Sequence, residues 1–209
     1  MNERIIQSPA CVAEGAAWLA AQEPRFAAAL QQTGPLPLRL RQDGFGALLD
    51  AIVSQQVSVA AGAAIWQRLQ AAGLTDPCAL AAAHDDALRA CGLSRPKVRY
   101  ARALAAAQLD YPGLRGASTA EILTTLTKVP GIGRWSAEIY AMLSLGRADV
   151  FAAGDLALQE SARLLFGLAQ RPDERALREM ARNWSPWRGV AARLLWAYYR
   201  LKKNREGIG

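Results

Sequence analysis

Histidine is all but missing from this chain, with His84 the single one in 209 residues. Mechanisms that need two or three imidazole ligands, or an imidazole base at any other position, are thereby excluded, and chemistry falls to carboxylates. Cysteine is scarce too. Cys11, Cys78 and Cys91 are odd in number and far apart, which fits neither a disulfide framework nor a Cys-x-x-Cys metal or redox site. Each is expected as a small buried apolar group. Arg, Glu, Gln or Asp breaks every alanine-rich segment, so no apolar run reaches the roughly 18 residues of a membrane span. Met1 to Ile5 is not a basic region leading into a long apolar run, so the reading is a cytoplasmic protein without a secretory signal or membrane association. Alternating β-branched runs of strand length are also lacking, and the pattern predicts an all-α fold.

A hydrophobic content of 52% against 21% charged residues is enough to bury a proper core. Twenty-five Lys and Arg against 18 Asp and Glu leave a net charge of +7, which favours a polyanionic partner, nucleic acid first. Helices are predicted near 10–21, 24–32, 44–56, 58–72, 77–91, 96–109, 118–126, 134–146, 155–166, 173–183 and 187–203. Gly34-Pro35-Leu36-Pro37 reads as an extended connector, because proline keeps the preceding residue out of the helical region. Thr75-Asp76-Pro77 and Ser118-Thr119-Ala120-Glu121 read as helix starts, the second with capping-box spacing, and Gly73, Gly92, Gly146 and Gly167 as helix stops. The basic tail Arg200 to Arg205 is expected to fray. Composition shifts suggest one helical unit over 1–209 with two lobes, a central one at 40–149 and a second formed by 1–39 with 150–209.

The informative stretch runs from Thr127 to Asp155. Val129-Pro130-Gly131-Ile132-Gly133 predicts a tight turn between helices, in which Gly131 and Gly133 permit positive φ and close approach and Arg134 opens the second helix. Backbone N–H groups at that helix start suit a phosphate oxygen, with Lys128 and Arg134 adding charge. The expected result is a sequence-independent grip on a DNA backbone, although such a turn serves equally in a plain helical hairpin. Asp155 follows Gly154 and precedes an apolar-periodic run, so spacing alone reads it as a helix N-cap. Trp18, Trp66 and Phe26 are expected in the core, and His84 in a solvated polar junction. Arg178, Arg182, Arg188, Arg193 and Arg200 are candidates for one DNA-facing side, Arg188 the most specific of them.

Four stretches, in order, carry a resemblance: Ile52 to Ser58 with its Ser-Gln-Gln, Val129 to Trp135, Phe151 to Asp155, and Trp184 to Arg188. They resemble the helix-hairpin-helix DNA glycosylase superfamily, and within it the alkyl-base branch, the DNA-3-methyladenine glycosylase II family. The likeness covers roughly residues 40–200. It implies a two-lobed helical fold, here without the N-terminal α/β domain of some relatives. The implied activity is monofunctional: hydrolysis of the N-glycosidic bond of alkylated purines such as 3-methyladenine and 7-methylguanine in double-stranded DNA, which initiates base excision repair.

The resemblance assigns Asp155 the catalytic role of stabilising an oxocarbenium-like sugar. Trp135 and Trp196 fall at aromatic positions of the base pocket, Trp196 as the stacking partner, while Ile139 and Leu156 stand where a well-studied type of relative has tyrosines. Gln56 falls where the family fills the gap left by the flipped nucleotide, with Gln55 and Ser58 supporting its loop. Thr127, Val129 and Ile132 would lend backbone carbonyls to a structural Na+ or K+. Trp135 stands where lyase-capable relatives carry a lysine, so no lyase activity is expected. No cysteine follows Cys91, so no iron-sulfur cluster is expected and no cofactor is needed for catalysis. A monomer suffices. Two alternatives remain at this level, a non-catalytic helix-hairpin-helix DNA-binding module and a glycosylase for another damaged or mismatched base.

Overall fold

The structure is a computed structural model in which residues 3–203 are described. Thirteen α-helices occur among them: α1 (Pro9–Gln22), α2 (Pro24–Thr33), α3 (Phe45–Val53), α4 (Val59–Ala71), α5 (Pro77–Ala82), α6 (Asp85–Ala90), α7 (Arg95–Ala106), α8 (Tyr111–Gly116), α9 (Thr119–Thr127), α10 (Arg134–Leu143), α11 (Leu156–Phe166), α12 (Glu174–Met180) and α13 (Arg188–Lys203). A 3-10 turn, Ala181–Trp184, joins the last two. The described residues form no strand, only an antiparallel bridge between Ile5 and Arg147, in keeping with the all-α expectation.

Caps explain most boundaries. Ser8 with Pro9 starts α1, Asp76 with Pro77 starts α5, and Ser118 and Glu121 complete a reciprocal capping box on α9. All four predicted stop glycines adopt positive φ, and Gly167 does so as the left-handed C-cap of α11. Of the basic tail, Arg200 to Lys203 continue α13 rather than fray, and the remainder lies outside the described residues.

Three segments differ from the sequence reading, each for a local reason. The helix predicted over 77–91 is two, because Arg102 draws the chain out of helical form at Ala83. Its guanidinium donates to the carbonyls of Ala81 (3.1 Å) and Ala83 (2.6 Å) and pairs with Asp85 (2.6 Å), while His84 caps α6. The helix predicted to run to 56 ends at Val53, and Gln56 sits in a left-handed turn at φ 55°. The short α8 escaped the pattern, since Tyr111-Pro112-Gly113 holds poor helix formers and relies on the Asp110 cap (3.0 Å to Gly113 N).

The chain divides into two compact units, Met1–Leu40 with Ala141–Gly209, and Arg41–Tyr140. The second crossing lies inside α10 rather than at 149–150, because residues 146–148 are tied to the N-terminal segment: Ile6 N donates to Gly146 O (2.7 Å) and Ala148 N to Arg4 O (3.0 Å). In this discontinuous unit α13 is the central element, packed by α1, α2 and α11 and buried from Gly189 to Trp196. Gly15 lets it approach, since a Cβ there would overlap Trp187 and Val190. Phe26 and Trp184 meet edge to face at 5.3 Å, and Phe151 and Phe166 close the cluster around Trp184. The continuous unit buries Leu48, Ile52, Leu69, Leu80, Leu104 and Leu126, with α3 and α5 against α7.

Several expectations about burial need correction. Phe26 is core, but Trp18 and Trp66 are only half-buried, while Trp184, Trp187 and Trp196 are buried. Of the cysteines only Cys91 is buried; Cys78 is exposed and Cys11 lies half-buried beside Ser8.

Candidate functional site

In the continuous unit the turn after α9 forms as the glycines require. Gly131 adopts φ 92°, and a Cβ on it would overlap the Tyr100 ring of α7. Gly133 does not take positive φ; it is exposed, with open space where its Cβ would be. Its value is room for a close neighbour. The turn closes on itself through Ile132 N to Val129 O (3.0 Å), and Gln55 Nε2 donates to Gly131 O (2.9 Å). Gln55 thereby ties the turn after α3 to the hairpin, and Ser58 serves nearby as N-cap of α4 (3.2 Å to Ala61 N).

A groove of about 890 Å³ runs along this hairpin, lined by Gln56, Lys97, Tyr100, Lys128, Gly133 and Trp135 among others. Gln56 is exposed at its tight turn, Lys128 is exposed, and Trp135 is half-buried. Arg134 is exposed but not a bare charge, since it pairs with the buried Glu138 at 2.9 Å. Ile139 on α10 is buried. The sequence reading missed Lys97 and Tyr100. Lys97 Nζ donates to the C-terminal carbonyl Val53 O of α3 (2.6 Å), and burial lowers its basicity. The run Arg95-Pro96-Lys97-Val98-Arg99-Tyr100 held that signal as a basic helix start close to an aromatic.

In the discontinuous unit Asp155 is buried, 5% exposed, at the start of α11. Three donors converge on its Oδ1: Ala157 N and Leu158 N at 2.9 Å each, and Trp196 Nε1 at 3.3 Å. Spacing alone offered the N-cap role and the resemblance the site role, and a single geometry satisfies both. The approach segment is held as well, with Gln159 Nε2 on Ala153 O (2.9 Å) and Ser161 Oγ on Leu195 O (2.7 Å) fixing α11 to α13. A carboxylate fixed this way at a helix start offers a preoriented negative charge to a cationic centre brought beside it. Trp196 is fully buried, whereas Leu156 is 62% exposed.

The arginines proposed from sequence as a DNA-facing set are mostly spent inside this unit. Arg188 forks onto Asp149 (2.7 and 2.9 Å), Arg178 pairs with Glu174 (2.7 Å), Arg182 with Glu179 (3.0 Å), and Arg193 is fully buried. Arg200 is exposed near the end of α13. Burial would raise the Asp149 carboxyl, but hydrogen bonds from Arg188 and Ser185 outweigh it and hold its pKa below the ordinary value.

Among the described residues no group of three His, Cys, Asp or Glu side chains could hold a metal ion, and no helix is long and apolar enough to cross a membrane.

Comparison with known proteins adds to this geometry. A family model described as "HhH-GPD superfamily base excision DNA repair protein" matches residues 49–186. The alkylbase DNA glycosidase-like protein mag2 of Schizosaccharomyces pombe is 29% identical over 126 residues, 58% of this chain and 59% of that one. This chain therefore spans less than two thirds of that relative's length. Among solved structures, a DNA-3-methyladenine glycosidase from Bacillus halodurans superposes with a TM-score of 0.80 at 31% identity, covering 99% of this chain and 96% of that one. The S. pombe 3-methyladenine DNA glycosylase (Mag1) in complex with abasic DNA gives 0.78 at 25% identity, covering 91% and 97%.

Proposed function

This chain belongs to the HhH-GPD superfamily of base excision DNA repair proteins, and on that premise we propose that it is a monofunctional DNA glycosylase for alkylated purines such as 3-methyladenine and 7-methylguanine. The observation that carries the reading is Asp155, a buried carboxylate held by two backbone N–H groups and an indole N–H. The names of the similar proteins support the alkyl-base substrate class.

Double-stranded DNA is the partner. The hairpin meets its backbone, with the exposed Gly133 giving a phosphate room to approach and Lys128 supplying charge. Gln56, exposed at a tight turn on the same groove, fills the gap left by the extruded nucleotide. The base is held against aromatic faces, Trp196 as its stacking partner, with Trp135, Ile139 and Leu156 completing the pocket.

The C1′–N bond then breaks with its electron pair leaving on the base. An alkylated purine that starts as a cation departs neutral, so no acid need protonate it, and the scarcity of histidine is no obstacle. The Asp155 carboxylate stabilises the oxocarbenium-like sugar, and water adds to C1′ with loss of a proton. Trp135 offers no amine at the lyase position, so the strand stays intact. A structural Na+ or K+ at the hairpin would rest on the carbonyls of Thr127, Val129 and Ile132. These neutral donors suit a monovalent ion, and Val129 O keeps one lone pair after accepting Ile132 N–H. One chain carries every residue named, and a monomer is the proposed working unit.

The test is release of methylpurines from alkylated duplex DNA by the wild type and by Asp155→Asn, with strand breaks scored before and after alkali. Asparagine keeps the N-cap acceptor and removes the charge, so the variant is expected to fold and to lose about 10²-fold or more in rate. Breaks are expected only after alkali. Binding of DNA with no base released by either protein would favour the non-catalytic module, and breaks without alkali would refute the lyase assignment.

A further inference from the structure

Trp196 meets a second charged side chain besides Asp155. Arg39, from the connector after α2, places its guanidinium carbon 5.4 Å from the centre of the indole, within cation–π range. It does so from an unfavourable backbone, at φ 51°. The connector is pinned beside it, since Leu38 O accepts from Arg193 Nε (2.9 Å). Arg193 lies three residues before Trp196 on α13 and is fully buried; its Nη1 donates to Gly189 O (2.8 Å), and its Nη2 has no hydrogen-bond partner among the described residues. Burial, and then the like charge of Arg39, lower the basicity of Arg193 to a pKa of about 10. Arg39 thus stays on the ring against both a strained backbone and a repelling neighbour. The contact with Trp196 and the pinned connector hold it there, and the two opposing effects make it easy to dislodge.

We propose that Arg39 is a specificity-determining residue: its guanidinium occupies the Trp196 face, and a base is accepted there only when its own positive charge replaces the cation–π contact that Arg39 gives up. The inference rests on the glycosylase reading above, which makes Trp196 the stacking partner. Exchanging one cation for another leaves the electrostatics of the ring nearly unchanged. Unmodified adenine or guanine displaces a cation without replacing it. Asp155 and Arg193, opposite in sign and both attached to this part of the unit, oppose each other's fields at the indole, so the π contact becomes the term that separates the two classes of base. The selection is made by a residue of the connector and needs no hydrogen bond to the edge of the base.

The experiment compares the wild type with Arg39→Gly and Arg39→Lys. Glycine removes the cation and suits the left-handed backbone, so this variant is expected to fold; lysine keeps a cation. Each protein is incubated with methylated and with unmodified duplex DNA, and released 7-methylguanine and guanine are quantified. In Arg39→Gly the preference for 7-methylguanine over guanine is expected to fall about tenfold, through faster release of guanine, and in Arg39→Lys to return toward the wild-type value. An unchanged preference in Arg39→Gly, with the wild type active, overturns the gate and leaves the glycosylase reading standing. Parallel loss of both releases indicates a purely structural role and likewise overturns it. A wild type that releases no methylpurine overturns both.

Discussion

A methyl group at Gly131 would have to share space with the Tyr100 ring while its backbone held φ 92°, so two independent penalties fall on one atom. Gly131→Ala is therefore expected to destabilise the protein by about 1–3 kcal/mol in denaturant unfolding. Part of that loss should return in the double variant with Tyr100→Ala, which removes the clash and leaves the backbone penalty. Gly133→Ala meets open space and ordinary φ, so its stability should change by less than about 1 kcal/mol while DNA affinity falls, because the added carbon crowds the approaching phosphate. Sequence pointed to both glycines but could not tell them apart. The difference lies in what packs against each, and Tyr100 is about 30 residues upstream on another helix.

Two elements begin with carboxylates that do more than cap or pair. Asp155 serves α11 as N-cap, so Asp155→Ala should cost about 0.5–2 kcal/mol of stability whereas Asp155→Asn should cost little. Thermal unfolding of the two variants, set beside their rates, separates the cap from the charge. Asp149 binds the start of α13 through Arg188 and, with it, Ser185. Its pKa is depressed in the folded state, so its contribution is fully present above the unfolded value and is lost as pH falls through the folded one. Acid unfolding should accordingly steepen below about pH 4, and Asp149→Asn should flatten that limb while lowering stability at neutral pH. Helix starts of this kind were legible wherever Ser, Asp or Pro announced them. The break at Ala83 was not, since local propensity favours a continuous helix there and only Arg102, reaching across from α7, overrides it.

For the molecule as a whole, the net charge of +7 overstates what DNA can use, because Arg134, Arg178, Arg182 and Arg188 are paired with carboxylates. Affinity for undamaged duplex should fall with salt along a shallow slope, about −0.9 for each phosphate neutralised, and Lys128→Ala should reduce its magnitude by about one unit. A slope unaffected by that variant would remove Lys128 from the interface. The sequence by itself determined the helical class, most helix starts and stops, the Pro-Gly-x-Gly turn and the position of Asp155, because each depends on residues within a few places of one another. Tertiary structure alone decided which charges stay outward, which tryptophans are enclosed, that Gln55 and Tyr100 brace the hairpin, and that Arg39 rests on Trp196. Those outcomes join residues far apart in the chain, and burial and pairing between distant side chains leave no periodic or local trace in the order of the amino acids.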